Sequence, residues 1–218
     1  MFIEKLLNLI YPPVCGFCNI INKNFICENC KRKYDELKIT NIENYENEPV
    51  YFDEHMYLYK YEKEVRKSII KYKFDEKSYM YKSFAKLIIE DDIFRNEFIN
   101  KYDIVTSVPI HKKRYKYRGY NQSELIAKEL ANVCEKQYHN RILEKCKNIV
   151  AQSSLDKLER VKNIKNAFAL GSNAEKVKGK NVLIFDDVFT TGATANECAR
   201  LLKEAGASFV GIITIAKS

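Results

Sequence analysis

Apolar positions along this chain fall into two regimes with a boundary near residue 50. Before it, Phe2, Ile3, Leu6, Leu7 and Ile10 recur at helical spacing, and from Lys31 to Pro49 the sequence is dominated by Asn, Lys, Glu and Tyr with weak periodicity. The first stretch predicts a short amphipathic helix, with a membrane-surface or partner-binding helix as the alternative, and the second predicts a linker or a loosely packed extension. Beyond Val50 helices and strands alternate. Val65, Ile69 and Tyr72 share one helical face, as do Tyr81, Phe84, Ala85 and Ile88. Asp103 to Ile110 is a short β-branched run, and Asn121 to Cys134 reads as a helix with Leu125, Ile126, Leu130 and Val133 inward. Val182 to Phe185 is a continuous apolar strand, Thr194 to Ala205 a helix closed by Gly206, and Phe209 to Ala216 a last buried strand. Strands apolar on both faces and separated by helices imply an α/β fold with a mainly parallel sheet covered on two sides. We therefore expect an N-terminal unit over 1–49 and an α/β domain over 50–218.

Composition excludes disorder and collagen-like structure: of 218 residues 46% are hydrophobic, with only 7 Gly and 4 Pro. No run reaches the ~20 uninterrupted apolar residues of a membrane span, and Glu4 and Lys5 interrupt the N-terminal apolar positions with no cleavage-site pattern after them. Membrane insertion and a secretory signal are not expected. The formal charge of +8 favours an anionic partner without naming one.

Four of the seven cysteines form two CxxC pairs, Cys15-Gly-Phe-Cys18 and Cys27-Glu-Asn-Cys30, separated by eight residues. Two tight turns of this kind aim four thiolates at one ion, the tetrahedral donor set that Zn²⁺ prefers. With all four positions filled by protein, such a zinc is structural. A pair of disulfides or a redox CxxC is the competing reading. Gly16 suits the turn of the first pair. Cys134, Cys146 and Cys198 show no ligand spacing and are expected to be small buried hydrophobes.

Ligands of open α/β sheets bind beyond the carboxyl ends of the strands. The run Val182-Leu-Ile-Phe-Asp186-Asp187-Val-Phe-Thr190-Thr191-Gly192-Ala193-Thr194 passes from a strand through two carboxylates into a small-residue turn that opens a helix. Backbone amides, hydroxyls and a helix N-terminus make a phosphate cradle. The carboxylates fit a polyhydroxylated group or its Mg²⁺, and a sugar phosphate meets both demands. Both aspartates reach one ligand only if the strand is already ending there. Walker A and GxGxxG loops need glycines and a lysine that are missing here. A second element, His111-Lys112-Lys113-Arg114-Tyr115-Lys116-Tyr117-Arg118-Gly119-Tyr120-Asn121-Gln122, carries five basic residues between positions 111 and 118 and no acid. A solvated charged loop is one reading, and an anion-binding loop at a strand end is the other, with Tyr115, Tyr117 and Tyr120 also suited to stacking on nucleic-acid bases.

Residues 182–194 resemble the phosphoribosyl pyrophosphate (PRPP) motif of type I phosphoribosyltransferases. Together with the Cys₄ module, the VPxH(x)n-Arg-Gly-Tyr-Asn-Gln segment and Gln152, Leu155, Arg160, Asn163 and Phe168 on a Q-x2-L-x4-R-x2-N-x4-F spacing, they resemble the ComF/GntX family of phosphoribosyltransferase-like competence proteins over nearly the whole chain. The resemblance implies a type I phosphoribosyltransferase-like parallel sheet flanked by helices, behind a zinc-ribbon-like Cys₄ module. It implies that Asp186 and Asp187 hold the ribose hydroxyls, directly or through metal-bound water, that Thr190 to Thr194 wrap the 5′-phosphate, and that His111, Lys112, Lys113, Arg114, Arg118, Gly119, Asn121 and Gln122 form the pyrophosphate loop. Gln152, Leu155, Arg160 and Asn163 would belong to the flexible loop that closes over PRPP, with Mg²⁺ as the companion ion. Two functions follow. One is a cytoplasmic DNA-handling factor of natural transformation that binds single-stranded DNA and works with a DNA-uptake helicase and other competence proteins at the inner face of the membrane. The other is an active transferase of phosphoribose to an unidentified base or amine.

Overall fold

A central sheet of six strands runs in the order β1-β2-β8-β7-β3-β4, in a computed structural model that describes residues 12–45, 48–75, 77–147, 164 and 166–218. Its strands are β1 (Asn41–Asn44), β2 (Glu54–Lys60), β3 (Ile104–Ser107), β4 (Gln137–Tyr138), β7 (Asn181–Phe189) and β8 (Phe209–Lys217), while β5 (Leu143–Lys145) and β6 (Phe168–Leu170) pair separately as an antiparallel hairpin. Only β1 is antiparallel to its neighbour; the other four pairings are parallel. The longest strands, β7 and β8, lie side by side at the centre, where Val182 to Phe185 and Val210, Ile212 and Ile213 are fully buried. Two-sided burial is what the uninterrupted aliphatic runs imply.

Each face of the sheet has its own core. On one side Leu183, Phe185, Ile213, Met56 and Leu58 pack against α2 (Lys63–Phe74), α3 (Met80–Ile89) and α5 (Gln122–Val133). On the other, Val182, Ile184, Val210 and Ile212 pack against α6 (Ala193–Glu204) and the β5–β6 hairpin. Val65, Ile69 and Tyr72 are buried on α2 as the periodicity predicts, and so are Phe84, Ala85 and Ile88 on α3.

Several expectations change. The stretch after Lys31 is not all linker: α1 spans Glu28–Leu37, and Asn41–Asn44 is an edge strand of the main sheet. Helix α1 buries Tyr34 alone, which explains its faint periodicity. The run from Asp103 shortens to Ile104–Ser107. Val133, expected inward, is 48% exposed, because Ala127 and Ala131 fill the inward face of α5 instead. Of the three remaining cysteines only Cys198 is buried; Cys146 is exposed and Cys134 half-buried. The basic segment is not a loop but the helix α4 (Lys112–Arg118), started by His111, whose Nδ1 accepts from Lys113 N at 3.2 Å, and stopped by Gly119 at φ +82. None of its residues is buried, so no apolar stripe announces it. Residues 1–11 and the expected loop residues Gln152, Leu155, Arg160 and Asn163 lie outside the described residues.

The Cys₄ module is built into the first core. Cys15, Ile26 and Tyr34 belong to it, Phe17 stacks on Tyr34 at 4.1 Å and meets Phe84 edge-on at 5.2 Å, and Tyr34 Oη donates to Ser68 Oγ of α2 at 2.6 Å. Gly16 has no positive φ; the left-handed residue of this knuckle is Asn19, at φ 65. Glycine is needed at 16 because a Cβ would lie 2.5 Å from Ser83 Oγ and 3.1 Å from the Met80 Cα.

Candidate functional site

Strand β7 does not end at its aspartates but continues to Phe189 along β8, while its pairing with β3 stops at Phe185 opposite Ser107. From Asp186 onward one edge of β7 is therefore open toward the N-terminus of α5. The alternation of the strand also slips. Leu183 and Phe185 face the first core and Ile184 the second, yet Val188 packs on the first and Phe189 on the second. The slip falls on Asp186 and Asp187 and lets neighbouring carboxylates find partners on one face of the sheet. Asp186 Oδ1 accepts from Ser123 Oγ of α5 at 3.1 Å and from Asp187 N at 2.8 Å, and Asp187 Oδ1 pairs with Lys73 Nζ of α2 at 2.7 Å. The condition set by strand alternation is thus met by a slip rather than by a strand end.

The two carboxylates differ electrostatically. Asp187, 9% exposed, has a cation of its own in Lys73, whose pKa burial lowers but Asp187 more than restores, leaving it raised. Asp186 has none. Burial, and then the charge on Asp187, push it up to about 7 against the pull of Lys73 and its two hydrogen bonds. A carboxyl group held near neutrality where β7 has lost its pairing with β3 is poised for a cation or a hydroxyl-rich ligand.

Beyond Phe189 the chain turns through Thr190 and Thr191 to Gly192, at φ +72, which caps α6. Ala193 N lies 3.4 Å from Thr191 Oγ1, and Asn196 N donates to Gly192 O at 2.8 Å. Thr190 is exposed, and Thr191 to Thr194 are half-buried around the helix start, where unpaired amides gather. A Cβ on Gly192 would meet the Phe189 ring at 2.6 Å, in a conformation that L residues rarely adopt. Gly192→Ala is expected to lower stability by about 1–3 kcal/mol and to shift Phe189 off His55, on which it stacks at 4.1 Å. Urea denaturation measures the first effect, and a variant as stable as the parent contradicts the geometry.

Helix α4 follows β3, the neighbour of β7, so the basic segment and the acidic pair flank adjacent strand ends. Lys112, Lys113, Tyr115, Lys116 and Tyr117 are exposed and His111 and Arg114 half-buried. Arg118 donates to Gln122 Oε1 and lies 5.4 Å from the Phe74 ring. Asn121 Nδ2 donates to Val108 O at 3.0 Å. Arg118, Asn121 and Gln122 thus hold the turn between α4 and α5, while the three lysines project from it. Lys73 and Ser123, the immediate partners of the aspartates, were not singled out from sequence. A lysine in the last turn of an amphipathic helix and a serine in a helical first turn carry no local signal of that role.

In the Cys₄ module one ligand atom from each of Cys15, Cys18, Cys27 and Cys30 lies within 4.8 Å of all the others, and Cys18 and Cys27 Sγ are 3.6 Å apart. Tetrahedral Zn–S bonds of about 2.3 Å place sulfurs about 3.8 Å apart, so the cluster could hold a metal ion such as zinc. The thiols are mismatched by themselves: burial pushes Cys30 and Cys18 up, whereas at Cys15 backbone donors outweigh burial and bring it down to about 7. A shared cation favours the thiolate at all four positions.

A mostly parallel sheet with an acidic pair late in a central strand, and a small-residue turn opening the next helix, defines a type I phosphoribosyltransferase fold. The family described as Phosphoribosyl transferase domain matches residues 121–218. The chain is 28% identical to Competence protein F of Haemophilus influenzae, over 69% of this chain and 66% of that one. It is 32% identical to DNA utilization protein YhgH of Salmonella typhimurium, over 64% and 61%, and 25% identical to Competence protein ComFC of Bacillus subtilis, over 94% and 77%. These findings fit a ComF-type phosphoribosyltransferase-like protein. The match spans just under two thirds of the length of the first two relatives. Among the described residues no helix is long and apolar enough to cross a membrane.

Proposed function

We propose that this protein is a ComF-type PRPP-binding factor that handles single-stranded DNA during DNA uptake, on the cytoplasmic side and in company with a helicase and other competence proteins. The observation that carries the reading is the unequal acidic pair, Asp187 ion-paired with Lys73 and Asp186 without an ion pair among the described residues, directly before the Gly192 turn. Asp186 and Asp187 would take the ribose hydroxyls, and the amides and hydroxyls from Thr190 to Thr194 the 5′-phosphate at the start of α6. Lys112, Lys113, Arg114 and Arg118 would meet the pyrophosphate. Asp186, whose unpaired carboxyl suits a hard cation, would hold Mg²⁺, which supplies neutralisation of the dense phosphate charge. The Cys₄ module would hold a structural Zn²⁺.

The chain's own residues divide the work. Lys73 pairs with Asp187, and Ser123 orients Asp186. The basic helix raises the local concentration of polyanions, and its exposed Tyr115 and Tyr117 offer stacking platforms for unpaired bases.

Calorimetric titration with Mg-PRPP, and oligonucleotide titration at several salt concentrations, test the two halves. Tight PRPP binding without pyrophosphate release across a panel of acceptors supports a binding or regulatory site rather than a transferase. Absence of oligonucleotide binding at low salt removes the DNA role. Replacing Lys112, Lys113 and Arg114 by Ala is expected to weaken PRPP about tenfold or more and to reduce the slope of log affinity against log salt for DNA by about 2. A change in only one of these shows that the two anions do not share the surface.

A further inference from the structure

Helix α2 ends without a glycine: its C-cap is Asp75, at φ −99. The last carbonyls of a helix have no partner within it and must find one elsewhere. Lys71 O accepts from Asp75 N at 2.9 Å, and the next two carbonyls are capped from the turn that follows α4, across 48 and 49 residues of sequence. Tyr120 Oη donates to Tyr72 O at 3.1 Å, and Gln122 Nε2 to Lys73 O at 3.4 Å. In return Tyr72 Oη donates to Gln122 O at 2.9 Å, and both Tyr72 and Gln122 are buried.

Arg118 joins this cluster from the basic helix. It donates to Gln122 Oε1, and its guanidinium lies 5.4 Å from the centre of the Phe74 ring, at the end of α2 where a cation is favoured. Residues 72, 73 and 74 are thus each engaged by residues from 118–122. The side chain that leaves this fixed turn is Lys73, the ion-pair partner of Asp187. A lysine on a fraying last turn must order its backbone as well as its long side chain to hold a carboxylate, and capping removes the first of these costs.

We infer that Tyr120 and Gln122 are positioning residues of the acidic pair, which cap α2 from outside and so fix the grip of Lys73 on Asp187. They act through Lys73 rather than on a ligand. Because Arg118 belongs to the same clamp, the basic helix and the acidic pair, on separate strand ends, move as one unit. The bearing on ligand rests on the PRPP reading, whereas the clamp itself is testable without ligand. Lys73 also pulls Asp186 down against burial and the charge on Asp187, so a Lys73 that drifts lets the Asp186 carboxyl titrate higher. Asp186 faces Asp187 on its own strand, Lys73 on α2, Lys145 on β5 and Cys198 on α6. Lys73 faces Tyr61 besides the two aspartates, and Arg118 faces Asp187. Of these groups, Lys73 is held by the clamp through its backbone.

Carboxyl ¹³C NMR of the ligand-free, full-length protein follows the titration of Asp186, whose signal Asp186→Asn assigns, in the parent and in Tyr120→Phe, Gln122→Met and Thr40→Val. The two clamp variants are expected to raise the midpoint by about half a pH unit or more. Thr40→Val removes a hydroxyl bonded to Asp91 at 2.6 Å, ahead of the edge strand β1, and is expected to leave the midpoint where it is. Calorimetry then compares Mg-PRPP affinities: near pH 7 both clamp variants are expected to bind about fivefold more weakly, with the deficit shrinking toward about pH 8.5 as Asp186 ionises in all of them. Melting curves establish that the variants fold, and if Gln122→Met does not, Tyr120→Phe, which loses one hydroxyl, decides alone. An unmoved midpoint, an equal shift in Thr40→Val, or a raised midpoint with unchanged Mg-PRPP affinity overturns the inference. A raised midpoint in a protein whose parent form does not bind Mg-PRPP upholds the clamp and removes the PRPP reading.

Discussion

Asp186→Asn and Asp187→Asn are each expected to weaken Mg-PRPP binding by about 100-fold or more, roughly 2.7 kcal/mol, while moving stability in opposite directions. The binding loss follows from removing an anionic partner of the ribose and its metal. The stability effects follow from the different settings of the two carboxyls. Asp187 is ion-paired with Lys73 at 2.7 Å, and neutralising it strands a lysine whose side chain is 23% exposed. Breaking a largely buried pair from one side costs about 3 kcal/mol or more in fully buried cases, and somewhat less at this partial exposure.

Asp186 behaves the other way. Its folded-state pKa of about 7 lies above the 3.8 of an ordinary aspartate. Between these values the native state binds more protons than the unfolded chain, so the parent protein loses stability as pH climbs from about 4 to about 7 and stays lower above that. Asn at 186 removes this dependence. The variant is therefore expected to match the parent near pH 4 and to melt a few degrees higher at pH 8, at roughly 2–4 °C per kcal/mol for a chain of this size. Melting curves across pH 4–8 decide it: a parent whose stability rises through this window by the amount that Asp186→Asn abolishes would falsify the assignment of an unpaired carboxyl. A loss of binding accompanied by a gain in stability marks a functional group held against the preference of the fold.

The pattern of apolar residues carried much of the architecture because most of the central strands are buried on both faces and leave little else for such runs to be. The acidic pair was legible for the same reason, as two charges at the end of an aliphatic run have no place in a core. What escaped notice had weak local signals. Strand β2 begins with Glu54 and His55, buried polar residues whose partners are distant in sequence: Lys101 and Tyr102 for one, and Thr214 for Nε2 of the other. Helix α4 buries nothing, so charge was visible there and helicity was not. Lys73 and Ser123 act on the site across 114 and 63 residues of sequence, respectively, and only the packing of α2 and α5 on β7 brings them to it.

That packing also changes what loss of the metal should do. On sequence alone, removing zinc loosens residues 1–49 more than the sheet, but Cys15, Ile26 and Tyr34 share one core with Phe84, Ile88 and Tyr72. Gly16 N donates to Ser83 Oγ of α3 at 3.0 Å, and that hydroxyl donates in turn to Phe25 O. Cys15→Ser, or chelation, is therefore expected to destabilise the whole face. Aromatic contacts such as Phe17 on Tyr34 and Phe84 contribute about 0.5–1.5 kcal/mol each beyond their buried area, and structural zinc sites contribute folding energy outright. A total loss of about 3–5 kcal/mol lowers Tm by roughly 10 °C. Hydrogen exchange locates the damage: amides of α1, α2 and α3 should lose protection together while those of α6, on the opposite face, change least. Faster exchange confined to residues 12–38 would show that the module is an appendage and not part of the core that positions Lys73 beside Asp187.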